Sequence, residues 1–464
     1  MSFMASSSED LNEGVVSWFD DDGELEDFVQ CVPKVELHVH LDGCFDPKVL
    51  WTHLIDNPHL LRCFEIEKTM PWEKDANAPP VRLRDMVESC ERSIDYLHLC
   101  TCRRRYRNLR HSYEQRPRRR LQAEKELRHS GGGHHNGHPN GTTNGHHSTT
   151  SSTKVRGSLE DMLLCFEFLF PLVYDNFELL EHLAYDFVRR QYEQNVIYCE
   201  VRYNPHLFAK NAREAFKAVQ HGLRRGCERF TTVTINQVLC AINFAPQWSS
   251  EILDMAMEHK ADFPCAVVGI DVAAGEDHFD TSSPLNDAHL AMCKKAQELG
   301  INVTIHAGET PNSALNVPLA VNEYGAKRIG HGYHINDNES ILNEMKEKDV
   351  HFEICPTSSV ETGGWLKTTW PEHPACTLKQ RGIKLSLNSD DPAVFNTDLS
   401  WQYRIAIRKM GWSTGDIIQV LNDTVDAAFI SDEMKRTLKE TIRSYIDSPS
   451  IVPARHFRDR VHYD

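Results

Sequence analysis

The strongest constraint on what this chain can fold into is a rhythm. Short strand-like runs fall at Val35–Asp42, Val196–Tyr203, Thr232–Ala241, Ala266–Val272, Asn302–His306, Arg328–His331, Val350–Ile354 and Ile383–Asn388. Helical spacing of apolar residues separates the later ones, at Glu214–Arg229, Ser249–His259, Leu285–Leu299, Ala314–Tyr324, Glu339–Lys348 and around Cys376–Arg381. Eight strands with intervening helices predict an α/β protein built as a (β/α)8 TIM-type barrel, in which reactive groups gather at the C-terminal ends of the strands. Additional helices are expected at Leu159–Phe170 and Phe177–Gln194, and at Leu399–Lys409, Thr414–Phe429 and Asp432–Tyr445. A chain of 464 residues exceeds a typical domain of roughly 100–200, but one barrel with insertions fills that length.

Composition divides the chain further. Residues 1–32 read as an acidic, Ser-rich tail ending in a short helix, with Asp20–Asp22, Glu24, Glu26 and Asp27 crowded together. The barrel is expected over 33–447, with a C-terminal tail at 448–464. After the first strand, Asp46 and Pro47 cap a helix that continues through Val49, Leu50, His53 and Leu54. Residues 103–153 interrupt the barrel with an Arg-rich piece, Arg103–Arg128, followed by Gly131-Gly132-Gly133-His134-His135 and a polar, low-complexity run. Such a segment cannot build a core. Its histidines have no hydrophobic frame to fix ligand geometry, so a polar linker is the preferred reading over metal capture. The Arg run could dock an acidic partner, although a solvated helix is the commoner outcome.

Several function classes are disfavoured. The balance of 51 basic and 67 acidic side chains leaves a net charge of −16, which repels phosphate backbones, so no nucleic-acid partner is expected. The 14 cysteines include no C-x-x-C pair, so zinc ribbons and thioredoxin-like motifs are absent. The first residues lack a basic n-region followed by an apolar h-region, and reduced thiols in the cytoplasm fit best. The most apolar stretch, Met162–Tyr174, carries Glu167 and Pro171 and is shorter than a membrane span, so no membrane partner is expected.

The chemically rich residues fall at strand ends. Side chains alternate along a strand, so in Val35–Asp42 His38 and His40 share one face while Val35, Leu37, Val39 and Leu41 share the other. Two histidines on a strand are satisfied by hydrogen bonds at least as often as by a metal. Here, however, His306 ends the fifth strand, His331 the sixth, and Asp390 with Asp391 the eighth. Imidazoles and a carboxylate at one barrel mouth suit zinc with a position left open for water. Glu309 follows Gly308 just past the fifth strand, where partial burial would raise its pKa and let it act as an acid.

In this company the motifs resemble those of adenosine deaminase, of the metal-dependent amidohydrolase superfamily. The matching blocks are Pro33-Lys34-Val35-Glu36-Leu37-His38-Val39-His40-Leu41-Asp42-Gly43, His306-Ala307-Gly308-Glu309, Arg328-Ile329-Gly330-His331-Gly332-Tyr333-His334 and Ser386-Leu387-Asn388-Ser389-Asp390-Asp391-Pro392. They stand in the family's order, and the likeness runs from about Pro33 to Tyr445 apart from the insertion. It implies one zinc ion (Zn2+) held by His38, His40, His306 and Asp390, with Glu309 protonating the purine N1. His331 and Asp390 would orient the attacking water, Asp391 would hydrogen-bond N7, and Asp42 would meet the ribose 5′-hydroxyl. Leu159, Met162 and Phe166 resemble a hydrophobic lid over the ribose. The family often has Asp-Leu-Ala-Gly after the fourth strand, whereas this chain reads Asp271-Val272-Ala273-Ala274-Gly275-Glu276, so either Ala274 or Gly275 would offer the backbone N–H to the purine.

The implied reaction is hydrolytic deamination of adenosine and 2′-deoxyadenosine to the inosines and ammonia. Alternatives are deamination of AMP, N6-modified AMP or adenine, or a catalytically silent barrel that binds a partner. His351-Phe352-Glu353 imitates the H-x-E of the other zinc deaminases, but no P-C-x-x-C follows, so it reads as a barrel strand. The fourth strand contains no Lys to bridge two metals, which favours one.

Overall fold

The computed structural model describes residues 22–46, 49–50, 52–53, 57, 159–280, 284–365 and 369–447. The 103–153 insertion, the extreme N-terminal residues, the C-terminal residues 448–464 and Leu54 lie outside them. Eight strands form one sheet in the order β1 to β8, and every neighbouring pair is parallel. They are β1 Lys34–His40, β2 Val196–Tyr203, β3 Thr234–Ile242, β4 Val267–Ala273, β5 Asn302–Ala307, β6 Arg328–His331, β7 His351–Ile354 and β8 Leu385–Leu387. The (β/α)8 barrel is therefore observed, with strand positions within about two residues of those expected.

Closure of the barrel depends on a few residues after β8. A parallel bridge joins Val39 to Asp390. His40 N–H donates to the Asp390 carbonyl at 2.8 Å, and Asp390 N–H donates to the His38 carbonyl at 3.2 Å. Below them the Asn388 side-chain oxygen accepts from Leu37 N–H at 3.0 Å and from His38 N–H at 3.1 Å. β8 is shorter than the expected Ile383–Asn388, and Asn388 just beyond it still donates its backbone N–H to the Ile354 carbonyl at 2.9 Å while its side chain serves β1.

Helices cover the outside. Ala212–Arg229 is capped by Asn211, whose side chain accepts from Arg213 N–H, and it buries Phe216, Val219, Leu223 and Cys227 at helical spacing. Gly222 and Gly226 let it lie against Phe177–Glu193, because a Cβ there would fall 2.2 Å from the Glu181 carbonyl or 2.6 Å from Val188. The helix expected after Asp46 is present at residues 49–50 and 52–53, with Leu50 buried. The helix Asp22–Cys31 belongs to the packed structure, since Leu25 and Val29 are buried and Glu26 pairs with Arg404 at 2.8 Å. Among the described residues no helix is long and apolar enough to cross a membrane, and the described cysteines are free thiols.

Charged side chains occupy the middle of the barrel. Arg202 of β2, Asp271 of β4, Glu353 of β7 and His38 of β1 contact one another although their strands are not all neighbours, which places them across the interior. Arg328 joins this layer, bonding Glu353 at 2.7 Å and Glu200 at 2.6 Å.

Replacing Asn388 with Ala strands two buried backbone N–H groups at the barrel seam. At about 1–3 kcal/mol for each unsatisfied donor, Asn388→Ala should destabilise the protein by about 2–6 kcal/mol, read as a lower urea midpoint. An unchanged midpoint would show that the seam does not depend on this side chain.

Candidate active site

The mouth formed by the C-terminal strand ends gathers most of the polar residues that the sequence nominates. β1 delivers His38 and His40, β5 delivers His306, β6 ends in His331, and Asp390 follows β8. Ligand atoms of His38, His306, His331 and Asp390 all lie within 4.8 Å of one another. His40 stands at the edge of that group, its Nε2 3.3 Å from His306 Nε2 and 3.4 Å from Asp390 Oδ1. His38 Nε2 is 3.2 Å from Asp390 Oδ1. Gly330 leaves room for this, because a Cβ there would sit 2.9 Å from the His38 ring. His331 and Asp390 both adopt left-handed backbone, with φ of 65° and 63°, a strain of order 1–3 kcal/mol each that concentrates at functional sites.

A second layer fixes the imidazole tautomers. His38 Nδ1 faces Glu353 at 2.9 Å, and His306 Nδ1 faces Asp271 at 3.0 Å. Arg202 bonds both carboxylates, at 3.0 Å to Asp271 and 2.7 Å to Glu353. Burial opposes ionisation of both, but these charged neighbours hold Asp271 and Glu353 well below the usual carboxylate range. They therefore accept from the Nδ1–H groups and leave the Nε2 lone pairs pointing into the site. The Tyr333 hydroxyl donates to the Cys355 carbonyl, so it can only accept from His331 Nδ1–H, at 3.1 Å. His331 Nε2 consequently faces Glu309 at 3.8 Å and Asp390 at 4.0 Å as a lone pair. His38 Nε2 is buried and has no hydrogen-bond partner among the described residues. Convergent imidazole lone pairs and one carboxylate are the donor set a divalent ion of zinc type takes, so the residues fit a metal.

Four carboxyl groups share the cavity in different protonation states. Burial opposes ionisation of Asp390, but the His38 ring, 3.2 Å away, and the other surrounding imidazoles hold it well below the ordinary value. Burial, then the charges of Asp390 and Glu276, push Glu309 up to about 8, although His306 acts the other way. Asp391 is pushed well up by burial and by Asp390, Asp42 and Glu309. Burial raises Asp42, in the turn Asp42–Cys44, to about 7. Among the described residues Asp42 Oδ1 and Asp391 Oδ1 are both buried without a hydrogen-bond partner. Gly43 permits this proximity, since a Cβ there would fall 1.9 Å from Asp391 Oδ1.

The walls complete the pocket. Leu159, Met162 and Phe166 line it, together with Leu163, Phe170, Leu207, Ile242 and Phe244, which sequence reasoning had not singled out. Ala274 and Gly275 both line it with positive φ, 66° and 108°. Among the described residues no Lys or Arg lines this cavity. Asp271, Glu353 and Arg202 were also missed as site residues; the sequence showed only buried charges at strand positions.

Residues 132–445 match the family model described as adenosine deaminase. The chain belongs to the adenosine deaminase family. Adenosine deaminase of Bos taurus is 31% identical over 308 residues, covering 63% of this chain and 82% of that protein. A Burkhoderia ambifaria amidohydrolase with bound Zn superposes with a TM-score of 0.63 at 19% identity, covering 93% of this chain and 95% of that one. Arabidopsis N6-mAMP deaminase gives 0.59 at 20% identity, over 90% of this chain and 99% of that one; these structures share the fold. Membership makes the chain a hydrolase acting on C–N bonds, a purine deaminase of a metal-dependent family. β1 precedes the matched range, and it is barrel closure at Val39 and Asp390 that brings His38 and His40 to the site.

An acid with a pKa near 8 carries its proton at pH 7 and loses it as pH rises. Purine turnover should therefore hold level at neutral pH and fall about tenfold per unit well above pH 8. Glu309→Gln should lower kcat by about 10²–10⁴-fold with metal content retained. Wild-type kcat in that variant would refute a proton-donating role.

Proposed function

We propose that the protein hydrolyses adenosine and 2′-deoxyadenosine to inosine and 2′-deoxyinosine, releasing ammonia, with one zinc ion held by His38, His40, His306 and Asp390. Zinc in such a site supplies Lewis acidity that brings the pKa of a water ligand to about 7. The chain's own groups do the rest. Glu309, protonated at neutral pH, gives its proton to the purine N1, which makes C6 electrophilic. The His331 Nε2 lone pair and the ionised Asp390 orient the water and take up its proton. The water oxygen bonds to C6, which becomes tetrahedral; the proton taken up from the water passes to the amino group, the C6–N bond breaks to release ammonia, and the remaining hydroxyl proton returns to Glu309 as the C6 carbonyl forms. N7 of a purine is an acceptor, so its partner must donate; the raised pKa of Asp391 keeps a hydrogen on that carboxyl. A backbone N–H of Ala274 or Gly275 donates to the ring, and the helix Leu159–Val173 covers the sugar.

One observation supports a nucleoside over a nucleotide. The cavity presents the unpartnered carboxyl oxygens of Asp42 and Asp391, and no cationic side chain among the described residues lines it. A 5′-hydroxyl can donate to Asp42 in either protonation state. A 5′-phosphate carries roughly two negative charges and finds no counter-charge there.

Following the loss of adenine-ring absorbance, kcat/KM for adenosine and 2′-deoxyadenosine should exceed that for AMP by at least about 10²-fold, or about 2.8 kcal/mol. The gap should widen as pH rises through about 7, because Asp42 gains charge. Asp42→Asn should weaken adenosine turnover and narrow the gap. Comparable or greater kcat/KM for AMP in the unaltered protein overturns the nucleoside reading. Metal analysis tests the other half: purified protein should contain one zinc per chain, and Asp390→Ala should lose both zinc and activity. A fully active, metal-free protein excludes the proposed centre.

A further inference from the structure

Glu276 ends the loop that follows β4, directly after Ala274 and Gly275, and it does not line the cavity. Its carboxylate instead reaches across to the loop after β5. Oε2 accepts from Gly308 N–H at 2.9 Å, Oε1 from Glu309 N–H at 2.8 Å, and Oε1 again from Thr310 N–H at 3.3 Å. Asn316 Nδ2 adds a fourth bond to Oε2 at 2.7 Å. Three successive backbone N–H groups aimed at one carboxylate make an anion-holding nest, occupied here by the protein's own side chain. The nest exists because Gly308 has a φ of +72°, and a Cβ at that position would lie 2.7 Å from Val317.

The other hydrogen bonds to the backbone of this loop go to its carbonyls, with Ser313 N–H and its hydroxyl donating to Thr310 O at 3.2 and 2.6 Å. Gly308 O accepts from His334 N–H at 3.1 Å, but the N–H groups of 308–310 are satisfied by Glu276. At its other end, Glu276 belongs to a segment secured by Asn243, whose side chain accepts from His278 N–H at 2.8 Å and donates to Asp277 at 3.2 Å. Removing the Glu276 carboxylate would delete these four hydrogen bonds between the two loops.

We infer that Glu276 is a positioning residue which locks the proton-donating loop of Glu309 to the purine-contacting loop of Ala274 and Gly275, so that N1 protonation and ring binding occur in one register. This rests on the reading of Glu309 and the β4 loop given above. Glu276 touches neither substrate nor metal ligands in this role; it positions Glu309 through its backbone, beside the smaller effect of its charge on the Glu309 carboxyl. Misplacement of a reacting group by about 1 Å can cost on the order of 10²-fold in rate, so the loss should fall on kcat more than on binding.

The test uses full-length wild-type protein and its Glu276→Ala, Glu276→Gln and Glu276→Asp variants. Hydrogen exchange should show loss of protection at 308–310 in Glu276→Ala, with zinc content and the protection of β1 to β8 unchanged. Its kcat for adenosine should fall about 10²-fold while the Kd of the product inosine changes less than about fivefold. Glu276→Gln, which keeps an accepting oxygen and the side-chain length, should recover at least about tenfold of that loss. Glu276→Asp, one methylene short, should recover less than Glu276→Gln. Unchanged exchange at 308–310, or kcat within threefold of wild type in Glu276→Ala, overturns the proposal. So does a loss of kcat that is matched by loss of zinc or global protection and is not rescued by Gln. Failure of wild-type protein to deaminate any purine nucleoside would instead overturn the proposed function, leaving the exchange measurement to judge the clamp alone.

Discussion

A buried guanidinium organises the interior of this barrel. Arg202 donates to Asp271 at 3.0 Å, to Glu353 at 2.7 Å and to the Leu37 carbonyl at 2.6 Å. Each carboxylate then turns its remaining capacity toward a site imidazole, Asp271 to His306 and Glu353 to His38. Taking such charges out of water is costly, and their attraction offsets that cost only when the geometry satisfies nearly every donor and acceptor. Arg328 supplies the lower half of the arrangement through Glu353 and Glu200, and stacks 3.6 Å from the Phe429 ring centroid. Removing one partner would leave an uncompensated charge in the core, so the network constrains the strands and the imidazole tautomers together.

The segment after β8 shows how closely structure and chemistry are tied. Its backbone closes the barrel against β1, while the side chain of Asp390 completes the cluster and that of Asp391 enters the pocket. The left-handed backbone at Asp390 turns the chain between these tasks. That residue's own N–H and carbonyl make the seam bonds while its side chain joins the cluster, which is a physical reason for strain to persist at this point.

Protonation states within the pocket are set by arrangement, since the carboxyl groups are chemically alike. Asp390 is surrounded by imidazoles and stays ionised; Glu309 and Asp391 lie beside that negative charge in a desolvated space and keep their protons. Two neutral acids and one anion among the histidines are thereby obtained from three ordinary side chains.

Much of this was legible in the chain itself. The alternation of short apolar runs with helical spacing determined the barrel, because periods of 2 and 3.6 leave different patterns of buried side chains. The position of His38, His40, His306, His331 and Asp390 at strand ends determined that they would meet at one mouth, since parallel strands point the same way. The docking of Asp22–Cys31 was harder to see, as the acidic residues obscured the short apolar face of Leu25 and Val29. Only the tertiary structure decided which buried charges belong to the site. Arg202, Asp271 and Glu353 lie tens to hundreds of residues apart and acquire meaning through distances across the barrel. The same holds for Glu276, whose hydrogen bonds go to a loop more than thirty residues away, and for the pKa values, which depend on burial and on neighbours that no local pattern encodes.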